Sequence, residues 1–442
     1  MQWFPCARTP AVRAGSKDRG RRCRRCCAAV IAAWSAAAAP VAGAETAEPL
    51  RLADVLESAQ QANPEIQMAR QRAGALRAVP AQVSAYDDPT VSWEGWDIPN
   101  SLRVDQAENN IFRVAQKVPW PGKRTLAGTV AERAADAAQQ DVRTTELDVA
   151  QAVARAYWDL WLAHQKRAIL QRDRLVVERL ARTTEEKYGV GEATQADALR
   201  AQVELTHMAI QADTAGLAID TAAAELNALL SRRPDDPLGV PEDPPMQPLG
   251  ASAETLTDLA LQQRPELAAQ RAVVARETSG IELAEINRRP DFEFSFGRFI
   301  NYDRSDGFGA MASVTVPFVY SGKYDAAAAE ARAKLASAEA ELRRWQDRVR
   351  REVAQAYTRV RTAALEHGLA RGTHIPQVEQ ALRVTESAYA AGRADFASVL
   401  DTARNVEAIH IQHVEAEADL AKATADLQRA VGGELPTAAA HP

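Results

Sequence analysis

His410 and His413 stand one helical turn apart near the end of this chain, a spacing at which two imidazoles on one face could grip a transition metal. No cysteine and few histidines lie near them in sequence, so the pair reads more simply as part of a helix surface. Cys23-x-x-Cys26 has metal or redox spacing, but it sits in an N-terminal segment with the marks of an export signal. Asp87-Asp88 is a carboxylate pair directly before Pro89, where a turn accounts for it better than acid–base chemistry. The chain has no G-x-S-x-G, no H-E-x-x-H and no P-loop. No catalytic residue, no cofactor and no enzyme activity is expected.

The export signal spans residues 1–44. Arg21, Arg22, Arg24 and Arg25 are its basic part, Ala28 to Ala39 is mostly apolar, and Ala42-Gly43-Ala44 is a cleavage site. Its removal takes away all four cysteines. It also leaves 45 basic and 58 acidic residues, a net charge of −13. That balance argues against nucleic acid and suits a surface or lumen that tolerates cations. No apolar run of transmembrane length follows the signal, although membrane strands would give a far weaker hydropathy trace.

The elements that must position any site are duplicated. Asn63-Pro64-Glu65 recurs as Arg264-Pro265-Glu266, an offset of 201 residues. Val118-Pro119-Trp120 with Gly122-Lys123 recurs as Val316-Pro317-Phe318 with Gly322-Lys323, and Tyr188, Gly191 and Leu199 recur as Tyr389, Gly392 and Leu400. Solenoid repeats are much shorter than this, so a whole structural unit has been copied. The first repeat spans 45–232, with a β-hairpin at about 89–119 and a helical hairpin over 124–230. A proline-rich extended linker covers 233–252. The second repeat spans 253–433, with its β-hairpin at about 291–318 and its helical hairpin over 323–431. A flexible tail covers 434–442.

Asn63 and Pro64 are a favoured N-cap and first helical residue, opening a helix expected to end near Val79. Phe292, Phe294 and Phe296 alternate with polar residues, and Phe308 to Phe318 has an all-apolar face. Such alternation fits a membrane strand, and equally a soluble hairpin with one buried face. Pro119, Pro121 and Gly122 in the first copy, and Pro317 and Gly322 in the second, mark strand-to-helix joints. Arg124 to Lys187 then runs without proline for roughly 95 Å, and Gly191 and Gly392 mark the distal turns. Helices this long must pack along neighbours, and Ala150, Val153, Tyr157, Leu160 and Trp161 form a suitable stripe. Tyr157 and Tyr357 read as packing residues. Four strands cannot close a barrel and open edges are not tolerated in lipid, so two or three chains would have to contribute.

These features resemble the TolC-type outer-membrane efflux proteins over nearly the whole mature chain. The resemblance rests on the duplication, the Pro-Glu helix starts, the joints, and the tip motif Tyr389-x-x-Gly392 leading to Val399-Leu400-Asp401. The joint Gln116 to Arg124 is most similar to members paired with heavy-metal efflux systems, the CusC/CzcC kind. The resemblance implies a mainly α fold with a membrane β part. Duplicated helical hairpins would form an α-barrel, and four transmembrane strands per chain would contribute to a 12-stranded β-barrel in a homotrimer. It also implies a periplasmic adaptor, an inner-membrane pump of the RND type, and outer-membrane lipid as partners.

At the periplasmic gate it implies a bond from Tyr389 to Asp197. Asp401 matches one of two cation-attracting aspartates, Ser398 occupies the position of the other, and Arg393 lies beside Ala394, where an arginine latch is expected. Gly191 and Gly392 would lie at the adaptor-docking tips. The expected function is a passive exit duct, with heavy-metal cations among the expected cargo. A type I secretion duct, a multidrug duct and a periplasmic coiled-coil scaffold are the alternatives.

Overall fold

The computed structural model describes residues 49–436 apart from 101 and 244–248. The expected export signal with the four cysteines, and residues 437–442, lie outside the described residues. Each half has the same order of elements. The first is α1 (Leu52–Ala62), α2 (Pro64–Val83), β1 (Thr90–Trp96), β2 (Asn109–Val118), α3 (Lys123–Gly189) and α4 (Gln195–Leu229). The second is α5 (Ala253–Gln263), α6 (Pro265–Ile286), β3 (Phe292–Asn301), β4 (Gly307–Val314), α7 (Ser321–Leu369), α8 (Ile375–Ala390) and α9 (Phe396–Val431). No described helix is long and apolar enough to cross a membrane.

The 67 residues of α3 extend about 100 Å at 1.5 Å per residue. One face is set by a strict heptad of buried residues: Gly128, Ala135, Val142, Val149, Ala156, Ala163, Leu170, Val177 and Thr184. A seven-residue period slightly underwinds a helix and gives left-handed supercoiling against its neighbours. Those neighbours are α2, α4, α6 and α9. Helix α9 is buried on two sides: Val414, Ala418 and Ala421 join the core around Tyr157, whereas Ala423, Leu427 and Ala430 join a second core around Val353. The alanines let three helices lie close together with α9 as the shared wall.

The return helix of each half stops partway and is continued end to end by the helix that leads to the strands. The Asn63 side chain accepts from Glu65 N at 2.9 Å and donates to the Leu229 carbonyl at 3.0 Å, joining α4 to α2. At the matching junction between α9 and α6, Arg264 replaces the cap with charge. Its guanidinium is buried against Glu266 at 2.8 Å and against Glu352. Even the left-handed residues after α4 and α9 correspond, Ser231 at φ 58 and Gly432 at φ 94.

The four strands form one antiparallel meander in the order β1-β2-β3-β4, so β2 and β3 pair across the two repeats. The register places Val91, Trp93, Phe112, Val114, Phe294, Phe296, Phe308 and Val314 on one face, where all are exposed in the single chain. The opposite face carries Ser92, Glu94, Arg113, Lys117, Glu293 and Ser295.

Several expected boundaries change. Helix α2 continues to Val83 with Pro80 inside it, because a proline this near the end forfeits only one bond. Strand β4 ends at Val314, and Pro317–Tyr320 form a 3-10 turn. The second long hairpin arm is broken by a π-helical turn, Ala370–His374, which ends two residues before Pro376. Proline cannot donate to the carbonyl four residues back, and the wider turn accommodates this. The described part of the linker turns at Arg233–Asp236 and is then pinned. Leu50 bridges it in parallel at Pro241, and the Tyr157 hydroxyl lies 2.9 Å from the Leu50 carbonyl and 2.7 Å from that of Glu242. Tyr157 is therefore both core and tether. Leu435, in the expected tail, packs on the second core.

Replacing Asn63 by Ala removes a cap and a buried contact to Leu229, and should cost about 2 kcal/mol. Urea unfolding followed by circular dichroism checks this, and an unchanged midpoint would mean that water replaces both bonds.

Candidate functional site

The end of the molecule farthest from the sheet is formed by two helical turns, α3 to α4 and α8 to α9. Gly191 (φ 81) and Gly392 (φ 68) close them in left-handed conformations that a side chain would strain. Glu192 N donates to Lys187 O at 2.8 Å, and Arg393 N donates to Ala388 O at 2.8 Å, the same closure in both copies. Asp197 and Asp395 are helix-capping carboxylates. Asp197 accepts from the Thr194 backbone at 3.2 Å and hydroxyl at 2.7 Å, and lies 3.7 Å from Arg200. Asp395 accepts from Ser398 N at 3.0 Å and from the Ser398 hydroxyl.

Tyr389 is buried among Leu180, Ala181, Phe396, Val399 and Leu400. The Thr184 hydroxyl donates to Leu180 O at 2.8 Å, which spends its only proton. The Tyr389 hydroxyl, 3.0 Å away, is therefore the donor to Thr184. Lys187 Nζ donates to the Tyr389 carbonyl at 2.8 Å and sits 4.6 Å from the centre of its ring. Within one chain, Tyr389 thus bonds to α3, while Asp197 serves its own helix. The bond between Tyr389 and Asp197 that the resemblance implies is not among the contacts of the described residues. Arg393 and Ser398 are exposed, and Ala394 packs partly onto the Tyr389 cluster. The Asp401 side chain is 73% exposed and 3.9 Å from Arg404.

Above this cluster lies a buried ionic layer that sequence spacing does not reveal. Arg404 forms two bonds to Glu204, which is only 3% exposed. Asp173 accepts from Arg172 at 2.9 Å and lies 3.6 Å from His410. Burial pushes the Asp173 carboxyl up, but the bonds to His410 and Arg172 outweigh it and hold Asp173 below the usual range. Glu407 is only partly compensated, by the His207 and Arg404 charges. Burial, with the nearby Asp173 and Glu204 charges, raises it above the usual range.

The strand-to-helix joints are not equivalent. Gly122 is left-handed (φ 95) at the start of α3, whereas Gly322 lies inside the first turn of α7. Beside Pro119 and Pro121, Lys123 Nζ donates to Asp291 at 2.8 Å and to Arg289 O at 2.7 Å. Trp120 N donates to the same carboxylate at 2.9 Å. This ties the first joint to the start of β3, and Asp291 carried no local motif that could have singled it out. His410 and His413 do not act together either. His410 turns to Asp173 and Glu379, whereas the His413 ring stacks on His367.

The chain belongs to the outer membrane efflux protein family, which matches residues 55–232 and again 256–433. It is an outer-membrane efflux channel. It is similar to the cobalt-zinc-cadmium resistance protein CzcC of Cupriavidus metallidurans, with 21% identity over 396 residues covering 89% of this chain and 92% of that protein. The fold is similar to that of CusC, with a TM-score of 0.73 at 14% identity, covering 88% of this chain and 94% of that one. It is also similar to the outer membrane protein VceC of Vibrio cholerae, with a TM-score of 0.72 at 16% identity, covering 87% and 97% of the two chains.

Because Glu407 is raised in the fold, its ionised form opposes folding once pH exceeds the unfolded carboxyl value. Glu407→Gln should therefore stabilise the protein at neutral pH, and the gain should vanish in acid, where the wild-type carboxyl is already protonated. Thermal midpoints of both proteins across pH check this.

Proposed function

We propose that this channel is the passive exit duct of a tripartite efflux system and conducts heavy-metal cations. The observation that carries the duct reading is the sheet. An exposed apolar face, a polar opposite face and two unpaired edges, β1 and β4, lie at the head of helices about 100 Å long. Open edges are costly in lipid, so β4 of one chain pairs with β1 of the next. Three chains give twelve strands in a closed barrel around a water-filled lumen. The long helices continue the duct into the periplasm, where the turns at Gly191 and Gly392 meet a periplasmic adaptor fed by an inner-membrane pump of the RND type. Residues 1–44 are removed on export.

The gate lies at the same tips. Tyr389, held by Thr184 and Lys187, fixes the second hairpin against the first. Asp401, exposed beside it, supplies carboxylates that three chains would gather into a ring attracting cations. Asp197, Arg393 and Ser398 are the further gate positions. Opening is a shift between closed and open packings of the tips, biased by the adaptor. Similarity to a protein named for cobalt, zinc and cadmium resistance supports metal ions as cargo.

Two measurements test this reading. In planar bilayers, combining Tyr389→Phe with Thr184→Val should raise conductance, and Asp401→Ala should reduce cation selectivity. Wild-type conductance in both variants would remove the gate assignment. Deleting the gene should sensitise cells to cobalt, zinc or cadmium. Lost drug tolerance with intact metal tolerance would replace metals by organic cargo, and wholly soluble periplasmic protein on fractionation would sink the duct itself.

A further inference from the structure

Three side chains that the duct does not use converge between α7 and α9. His367 comes from α7, and His413 and Glu417 come from adjacent turns of α9. One nitrogen from each imidazole and one carboxylate oxygen all lie within 4.8 Å of one another. The two rings are stacked, with centroids 5.1 Å apart and planes inclined by 19°. The buried Nδ1 of His413 has no hydrogen-bond partner. An orphaned ring nitrogen at an interface is costly unless something accepts its lone pair or its proton.

The local backbone is also exceptional here. The π-helical turn Ala370–His374 starts three residues beyond His367, and such turns recur at functional sites. The cluster is not a by-product of the duplication, because the first repeat has Arg167, Ala212 and Gly216 at the corresponding positions.

We propose that His367, His413 and Glu417 form a site for one divalent late first-row transition metal, of the Zn2+ or Co2+ class, which cross-links α7 to α9. Two imidazoles and one carboxylate suit these ions. Hard cations such as Mg2+ prefer all-oxygen shells, and no thiolate is present to favour Cu(I). Metal–ligand bonds of about 2.1 Å in a tetrahedral shell place ligand atoms about 3.3 Å apart. Small rotations of the three side chains therefore close the site, with water as the fourth ligand. Burial, together with the neighbouring His367, Arg371 and His410 charges, lowers the basicity of His413 and keeps its lone pair free. Burial raises the Glu417 carboxyl, a penalty that a bound cation offsets. Arg371 opposes the ion electrostatically, but it is exposed and can turn to solvent. The site binds a metal ion regardless of which cargo the duct carries, and bilayer conductance of the metal-free channel is a separate measure of the duct reading.

The test is titration of the purified full-length protein in detergent with Zn2+ by calorimetry and with Co2+ by visible absorption. One equivalent per chain is expected. His367→Ala and His413→Ala should each weaken binding by more than about 100-fold, since losing even a residue that only orients a ligand costs about 10- to 100-fold. Glu417→Gln should weaken it too, and His410→Ala should leave it unchanged, because His410 turns towards Asp173 and Glu379. Zn2+ should also raise the thermal midpoint of the wild type, a readout that needs no variant. Absence of stoichiometric binding and of a thermal shift in the wild type would overturn the proposal, as would binding that survives in the double His367→Ala, His413→Ala variant.

Discussion

The antiparallel seam between α3 and α9 is the contact on which the rest of the molecule depends. It joins residues more than 200 positions apart along much of the length of α3, and it is charged throughout. Arg429 meets Asp148 at 2.6 Å, Arg155 meets Asp426 at 2.9 Å, Lys422 meets Asp159, and Lys166 meets Glu415 at 2.6 Å. As one partner number falls the other rises, so the pairs act as teeth that fix register between two helices. Each pair keeps one partner about half exposed to solvent, and such pairs contribute little stability individually. Their value is in excluding slipped alternatives, while Val414, Ala418 and Ala421 supply the apolar contact beneath them.

With that seam fixed, α9 becomes the wall between two cores, and the second repeat must dock beside the first. The sheet then follows: β2 and β3, the inner strands, come from different repeats and pair over ten positions. Asp291 secures the same alignment by bonding to Lys123 and Trp120 at the opposite joint. At the distal end the seam brings Tyr389 onto Thr184 and Lys187. The sheet and the tips are thus linked mechanically through one pair of helices.

The two repeats are alike where they build and unlike where they could act. Their Pro-Glu helix starts, distal turns and left-handed exits fall at corresponding positions. Among the described residues, the π-helical turn, the Arg264 ion cluster and the grouping of His367, His413 and Glu417 occur in the second copy alone. A repeated scaffold with one altered arm therefore presents two different surfaces.

Much of this was legible in the sequence, because periodicity is a local property. Alternation over Phe292–Asn301 marked a strand, Asn63-Pro64 marked a helix start, and Gly191 and Gly392 marked turns, each through backbone geometry that neighbours in sequence dictate. The heptad from Gly128 to Thr184 was equally present in the sequence, though it becomes plain only once burial is known. Partner choice was not legible. Nothing near Tyr389 specifies Thr184 rather than Asp197, and nothing near His413 points to His367 instead of His410. The sequence by itself determined the elements, their duplication and the membrane-like strand faces, since those depend on spacings of two to seven residues. Only the tertiary structure decided which buried polar groups meet, because those contacts depend on the register of helices hundreds of residues apart.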